Sequence, residues 1–126
     1  MARRFREVTA VESGGAAIRD LRLNAERAAI SNIRTEQASV PDFLRTLDRT
    51  PDFILLDPPR AGLGKEVVAQ LCRLRPPSLT IVSCDPATLA RDLSSLIAGG
   101  YRIAAMQLID LFPQTYHIET VVALQS

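Results

Sequence analysis

The chain has little of what marks a metal centre, a membrane span or a surface that coats nucleic acid. Its two cysteines, Cys72 and Cys84, lack metal-ligand spacing, and the single histidine, His117, adds no zinc pattern, so no metal site is expected. Charge of one sign is missing as well. Fifteen basic against fourteen acidic side chains leave a formal +1, which gives no general pull toward nucleic acid, so any RNA contact must come from a local patch or from outside this stretch. No apolar run approaches the roughly 20 residues that cross a membrane, and no signal peptide opens the chain. With only two cysteines, that composition fits a reducing, cytoplasmic compartment. Repeats, low-complexity tracts and Ser/Gly-rich linkers are absent too. Residues 1–126 therefore read as one small domain, with 47% hydrophobic content and no visible internal boundary.

What is present alternates strand and helix patterns. Met1 to Arg6 looks like the end of a helix, and Glu7 to Val11 alternates like a strand ending at Glu12. Ser13 to Ile30 has helical periodicity, with Ala17, Leu21, Ala25 and Ala28 near one face and Arg19, Arg22, Glu26 and Arg27 on the other. Ile33 to Ala38 is a weak strand, and Pro41 to Leu47 a short helix. Asp52 to Leu56 is a bounded apolar run of the kind covered on both faces of a sheet. It stops at Asp57-Pro58-Pro59-Arg60-Ala61-Gly62, where two prolines end the ladder. Asp57 is thereby placed at the carboxyl end of a strand, where open α/β sheets bind ligands. Gly64 to Arg75 reads as a helix closed by Pro76-Pro77. A strand follows at Leu79, then a helix from Pro86 to Gly99-Gly100, then strands over Tyr101 to Leu108 and Glu119 to Leu124. The pattern predicts an α/β fold: a mainly parallel sheet with an antiparallel C-terminal edge.

The stretch Ser83-Cys84-Asp85-Pro86-Ala87-Thr88-Leu89-Ala90-Arg91-Asp92-Leu93 is where chemistry concentrates. Asp85 is placed to cap the following helix and Pro86 to occupy its first position, so Cys84 sits between a strand end and a helix start. Unpaired amides there favour a thiolate, while the adjacent Asp85 opposes it. The same cysteine reads equally as a small buried hydrophobe. In the loop from Asp110 to Glu119, His117 and Glu119 taken alone read as surface polar residues.

Taken together and in order, Asp57-Pro-Pro-Arg-Ala-Gly, Ser83-Cys-Asp-Pro-Ala-Thr-Leu-Ala-Arg-Asp-Leu and Asp110-Leu-Phe-Pro-Gln-Thr-Tyr-His-Ile-Glu resemble the RNA uracil-C5 methyltransferases of the RumA/TrmA family. The resemblance covers nearly the whole chain. Val8 to Glu12 looks like that family's second cofactor-binding strand, and Asp20 to Ala28 like the helix after it. It implies the class I, Rossmann-like sheet of methyltransferases that use S-adenosyl-L-methionine, and methylation of uracil C5 in RNA through a cysteine adduct at C6. By resemblance Cys84 is the nucleophile and Glu119 the base that removes the C5 proton. Asp57, counted with the cofactor-binding and the substrate-binding residues, would accept from uracil N3. Glu12 would hold the cofactor ribose. Arg60 and Arg91 are candidates for phosphate, although arginines in such loops more often pair with a nearby carboxylate.

The family's glycine-rich first motif and its strand are not found. That strand lies between the strands assigned here to residues 8–12 and 52–56, so two apolar strand edges are expected without a partner and open to self-association. No acidic adenine-binding residue is evident in Glu36-Gln37-Ala38-Ser39. The chain therefore resembles the C-terminal part of a catalytic domain, and weak or no cofactor binding and little activity are expected of it by itself. The segments at 57–62 and 112–117 look closer to the ribosomal than to the transfer-RNA branch. Amino-group methylation of a base is disfavoured, because Arg60 stands where such enzymes carry an aromatic residue. A non-catalytic α/β module is the reading from another functional class.

Overall fold

The computed structural model describes residues 1–111, 113–115 and 118–126. They form β1 (Val8–Glu12), α1 (Gly15–Arg27), β2 (Ile33–Gln37), α2 (Val40–Thr46), β3 (Phe53–Leu56), α3 (Gly64–Leu74), β4 (Ser78–Ser83), α4 (Pro86–Ala98), β5 (Arg102–Ile109) and β6 (Glu119–Gln125). The expected order of strands and helices is thus observed. The opening residues are the exception. Instead of a helix end, they form turns in which Arg4 N–H donates to Met1 O, and Asn32 Nδ2 donates to the carbonyls of Ala2 and Phe5. So short a segment cannot offset the cost of nucleating a helix, and Asn32 takes its carbonyls instead.

Two compact units are present, Met1–Thr46 and Leu47–Ser126, each with its own sheet. The reason lies in the pairing. β1 pairs in parallel with β2, and β3 pairs in parallel with β4. Among the described residues no strand lies on the other side of β1 or of β3, the two strands expected to lack a partner.

In the first unit, Ile18 is the buried residue of α1, with Leu21 and Ala25 half-buried behind it. Ala17 and Ala28 are exposed rather than part of that face. In the second unit the strand order is β3-β4-β6-β5. β6 runs antiparallel to both neighbours, so the antiparallel pair lies at the C-terminal end of the sheet with β5 outermost. One face is covered. Leu79, Ile81 and Ser83 of β4 alternate with half-buried residues, and Thr120, Val122 and Leu124 opposite them do the same. On that side α3 and α4 pack together through Leu71, Leu74, Leu93 and Leu96. β3 is less covered than its apolar run implied, for Leu55 is 43% exposed.

The helices are tied into this core by Tyr101, whose hydroxyl donates to Leu71 O at 3.1 Å and whose pKa burial pushes up to about 12. Cys72 packs beside Gly99, where a Cβ would lie 2.2 Å from its Sγ, and burial pushes its thiol pKa up; both fit a packing role. Leu71 is wholly buried. Leu71→Ala is therefore expected to destabilise the second unit by about 2–5 kcal/mol, read as a lowered urea midpoint.

Candidate active site

Three of the residues singled out from sequence come together at the carboxyl ends of β3 and β4. The last β4–β6 pair is Ser83 with Thr120. Cys84 is the first residue past β4, in a bend, and Glu119 is the first residue of β6, paired with Ile109 of β5; both are half-buried. β3 reaches the same end, since Leu56 pairs with Ile81 and Asp57 follows. Asp57 is exposed. Among the described residues, neither its carboxylate nor that of Glu119 takes a hydrogen bond.

The local chain aims Cys84. Ser83, 5% exposed, accepts from Asp85 N–H at 3.3 Å and donates to Asp85 O at 3.2 Å, closing a tight turn around the cysteine. Asp85 then caps α4 as expected: its Oδ1 accepts from Thr88 N–H at 2.8 Å, and Pro86 opens the helix. The bonds from Thr88, its amide first and its hydroxyl second, hold the Asp85 pKa low, and the Arg60 charge adds to the effect.

Glu12 stands at the carboxyl end of β1 in the other unit. Its exposed carboxylate accepts from Gly14 N–H at 2.6 Å and Ser13 Oγ at 3.2 Å through Oε1. The Gly14 amide is the main cause of its lowered pKa. Oε2 takes no hydrogen bond among the described residues. An oriented carboxylate with a spare acceptor at a strand end fits a ribose diol. Glu36, at the end of β2, is held by Arg34 at 2.7 Å, in keeping with the doubt over an adenine contact.

The two arginines differ in their surroundings. Arg91 is exposed, and its Nε and NH2 donate to Asp92 Oδ1 at 3.0 and 2.8 Å, while NH2 also reaches Ala61 O at 2.8 Å; it thus has the nearby carboxylate that arginines in such loops often pair with. Arg60 is exposed and lies near enough to Asp85 to lower its pKa. His117, with Phe112 and Tyr116 of the same loop, falls outside the described residues. Among the described residues no group of three or more His, Cys, Asp or Glu could hold a metal, and no helix is long and apolar enough to cross a membrane. Sequence reasoning missed Thr88 and Asp92, although their spacing from Asp85 on one helix face was legible.

This arrangement, a cysteine and two carboxylates beside the strand ends of an α/β sheet, is set on the fold of class I S-adenosyl-L-methionine-dependent methyltransferases. A solved precorrin-6y C5,15-methyltransferase from Geobacter metallireducens shares that fold, with a TM-score of 0.74 at 15% identity over 95% of this chain and 67% of its own. Over residues 1–126 the chain matches the family described as tRNA (Uracil-5-)-methyltransferase, and it belongs to that family. An RNA methyltransferase of Thermotoga maritima, itself uncharacterized, is 44% identical over 93% of this chain and 27% of its own length. The solved Pyrococcus abyssi tRNA (uracil-54, C5)-methyltransferase, in complex with S-adenosyl-L-homocysteine, superposes with a TM-score of 0.86 at 36% identity, over 98% of this chain and 30% of that one. The chain thus spans little more than a quarter of the length of such relatives.

The lowered pKa of Asp85 fixes the sign of a pH effect. A depressed carboxyl stabilises the fold above its unfolded pKa, and that contribution is lost as pH falls through the folded value. Urea midpoints compared near neutrality and at about pH 3 are expected to fall more for the natural protein than for Asp85→Ala.

Proposed function

We propose that this chain carries the uracil-handling half of an enzyme that methylates uracil C5 in RNA, with Cys84 as nucleophile and Glu119 as base. The observation behind this reading is the β4–β6 pairing, whose last pair, Ser83 with Thr120, is adjoined in the chain by Cys84 and Glu119 at a strand end of the kind that binds ligands. Uracil C5 is a poor nucleophile until a thiolate adds to C6 and the electron pair moves onto the C4 oxygen as an enolate. S-adenosyl-L-methionine, when bound, supplies the electrophilic methyl group that C5 then takes. Glu119 removes the remaining C5 proton, the pair left behind rebuilds the C5–C6 double bond, and the Cys84–C6 bond breaks to return the thiolate.

Asp57 accepts from uracil N3–H, a donor that cytosine lacks, and so biases the site toward uracil. Glu12 holds the cofactor ribose. The target base must leave its stack to reach Cys84, and exposed Arg60 and Arg91 are the candidates for the phosphate beside it. Two unbridged cysteines suit a reducing compartment, so we place this work in the cytoplasm. A ribosomal target is our preference from the segments at 57–62 and 112–117. The family description and the Pyrococcus abyssi relative both name tRNA, so both RNAs belong in the assay.

In a full-length enzyme that contains residues 1–126, given 5-fluorouridine RNA and S-adenosyl-L-methionine, fluorine at C5 blocks the last proton removal, and a covalent protein–RNA adduct is expected to survive denaturing electrophoresis. Cys84→Ser abolishes it. With ordinary uridine RNA, Glu119→Gln is expected to let an adduct accumulate that the natural protein releases. An adduct persisting in Cys84→Ser would sink the assignment.

The one-sided pairing of β1 and β3 supports a second reading, self-association through those edges. An inert oligomer in gel filtration, with no adduct, is the outcome that favours it.

A further inference from the structure

Asp92 has no part in the chemistry above, yet it is a carboxylate only 4% exposed, two turns into α4. Its Oδ2 accepts from Leu63 N–H at 2.6 Å, and its Oδ1 accepts both donors of Arg91. Arg91 in turn reaches Ala61 O, and one turn earlier Thr88 Oγ1 donates to Arg60 O at 3.0 Å. Asp85, Thr88, Arg91 and Asp92 follow one another at helical spacing, so they line one stripe of α4.

The hydrogen bonds from this stripe go to backbone: two carbonyls and an amide between Arg60 and Leu63. One position of the loop is constrained by the stripe directly. Gly62 has φ +80°, and a Cβ there would lie 2.4 Å from Asp92 Oδ2 and 2.6 Å from Arg91 NH2. Glycine is required both by the left-handed backbone and by the closeness of the carboxylate. Asp85, which starts the stripe, immediately follows Cys84, and Asp57 starts the docked loop, so one helix face registers the two segments that form the site.

We propose that Asp92 is the positioning residue of the loop between Asp57 and Leu63. Through Leu63 and Arg91 it seats the loop's return leg on α4, which keeps Asp57 at the strand end where Cys84 emerges. This rests on the uracil reading above, with Asp57 as the group that receives the base. Asp92 touches no substrate; its oxygens are spent on Leu63 and Arg91.

Two measurements on the protein test it. Amide exchange at Leu63, read without any substrate, is expected to quicken by roughly ten- to a hundredfold in Asp92→Ala, the range set by losing a hydrogen bond to a charged acceptor. Asp92→Asn, which keeps an acceptor, recovers part of the protection. Should Asp92→Ala fail to fold, Thr88→Val removes the neighbouring tie to Arg60 O and gives a smaller increase in the same region. The second measurement is methylation of uridine RNA by a full-length enzyme that contains residues 1–126. Asp92→Asn is expected to raise KM for RNA far more than it lowers kcat, and to add little further loss in an Asp57→Ala background, because residues acting through one another are not additive. Unchanged Leu63 exchange, or losses that simply add in the double variant while that enzyme methylates uridine RNA and forms its adduct with 5-fluorouridine RNA, overturns the positioning role alone. Failure of the full-length enzyme to form any adduct with 5-fluorouridine RNA overturns the uracil reading, and the positioning role falls with it.

Discussion

Antiparallel pairing between β4 and β6 is the constraint on which the site depends. Register in such a pair is rigid, because a slip of one residue would turn every side chain of β6 to the other face and expel Val122 and Leu124 from the core they fill. The apolar row thereby determines, without any direct contact, what stands one position beyond the last pair. Cys84 and Glu119 are far apart in the chain, and burial of aliphatic side chains sets the strand pair whose last members they adjoin. Stability and chemistry are read from neighbouring residues of the same two segments.

Helix α4 extends that constraint sideways. Its first residue beyond Cys84 caps it, and the stripe that follows ends in a buried carboxylate bonded to the backbone of the neighbouring loop. A loop with two consecutive prolines has few amides with which to order itself. Held by donors and acceptors from a helix instead, it gains a defined path at little cost in loop entropy at the time a substrate arrives. The first unit works on simpler terms: a parallel strand pair, one helix with a single buried isoleucine, and an acidic residue oriented by the turn after its strand. Its thinner core follows from the strand pairing, since β1 has a neighbour on one side only among the described residues.

Much of this was legible in the chain. Periodicity located each strand and helix from β1 onward within two residues, apart from the end of α1, which stops at Arg27 rather than Ile30, because each element's apolar spacing is a local property bounded by its own glycines, prolines and caps. Asp85 as a cap and Cys84 between strand and helix were readable for the same reason. The opening turn was misread: a few basic residues look like a helix end until Asn32, far along the chain, takes their carbonyls. The inner face of α1 was displaced by part of a turn, since small alanines pattern like core residues but bury little area. The partners of Arg91, Asp92 and the Ala61 carbonyl, were not named by spacing alone.

By itself the sequence determined the element order, the strand-end positions of Glu12, Asp57 and Cys84, and the family, because these are encoded in contiguous residues. Only the tertiary structure decided that the strands divide into two sheets, that β6 pairs with β4 so that Glu119 and Cys84 adjoin the same residue pair, and that Asp92 bonds the backbone of the loop after Asp57. Each of those depends on pairing or burial between distant segments, and spacing along a chain carries no record of which strand will lie beside which.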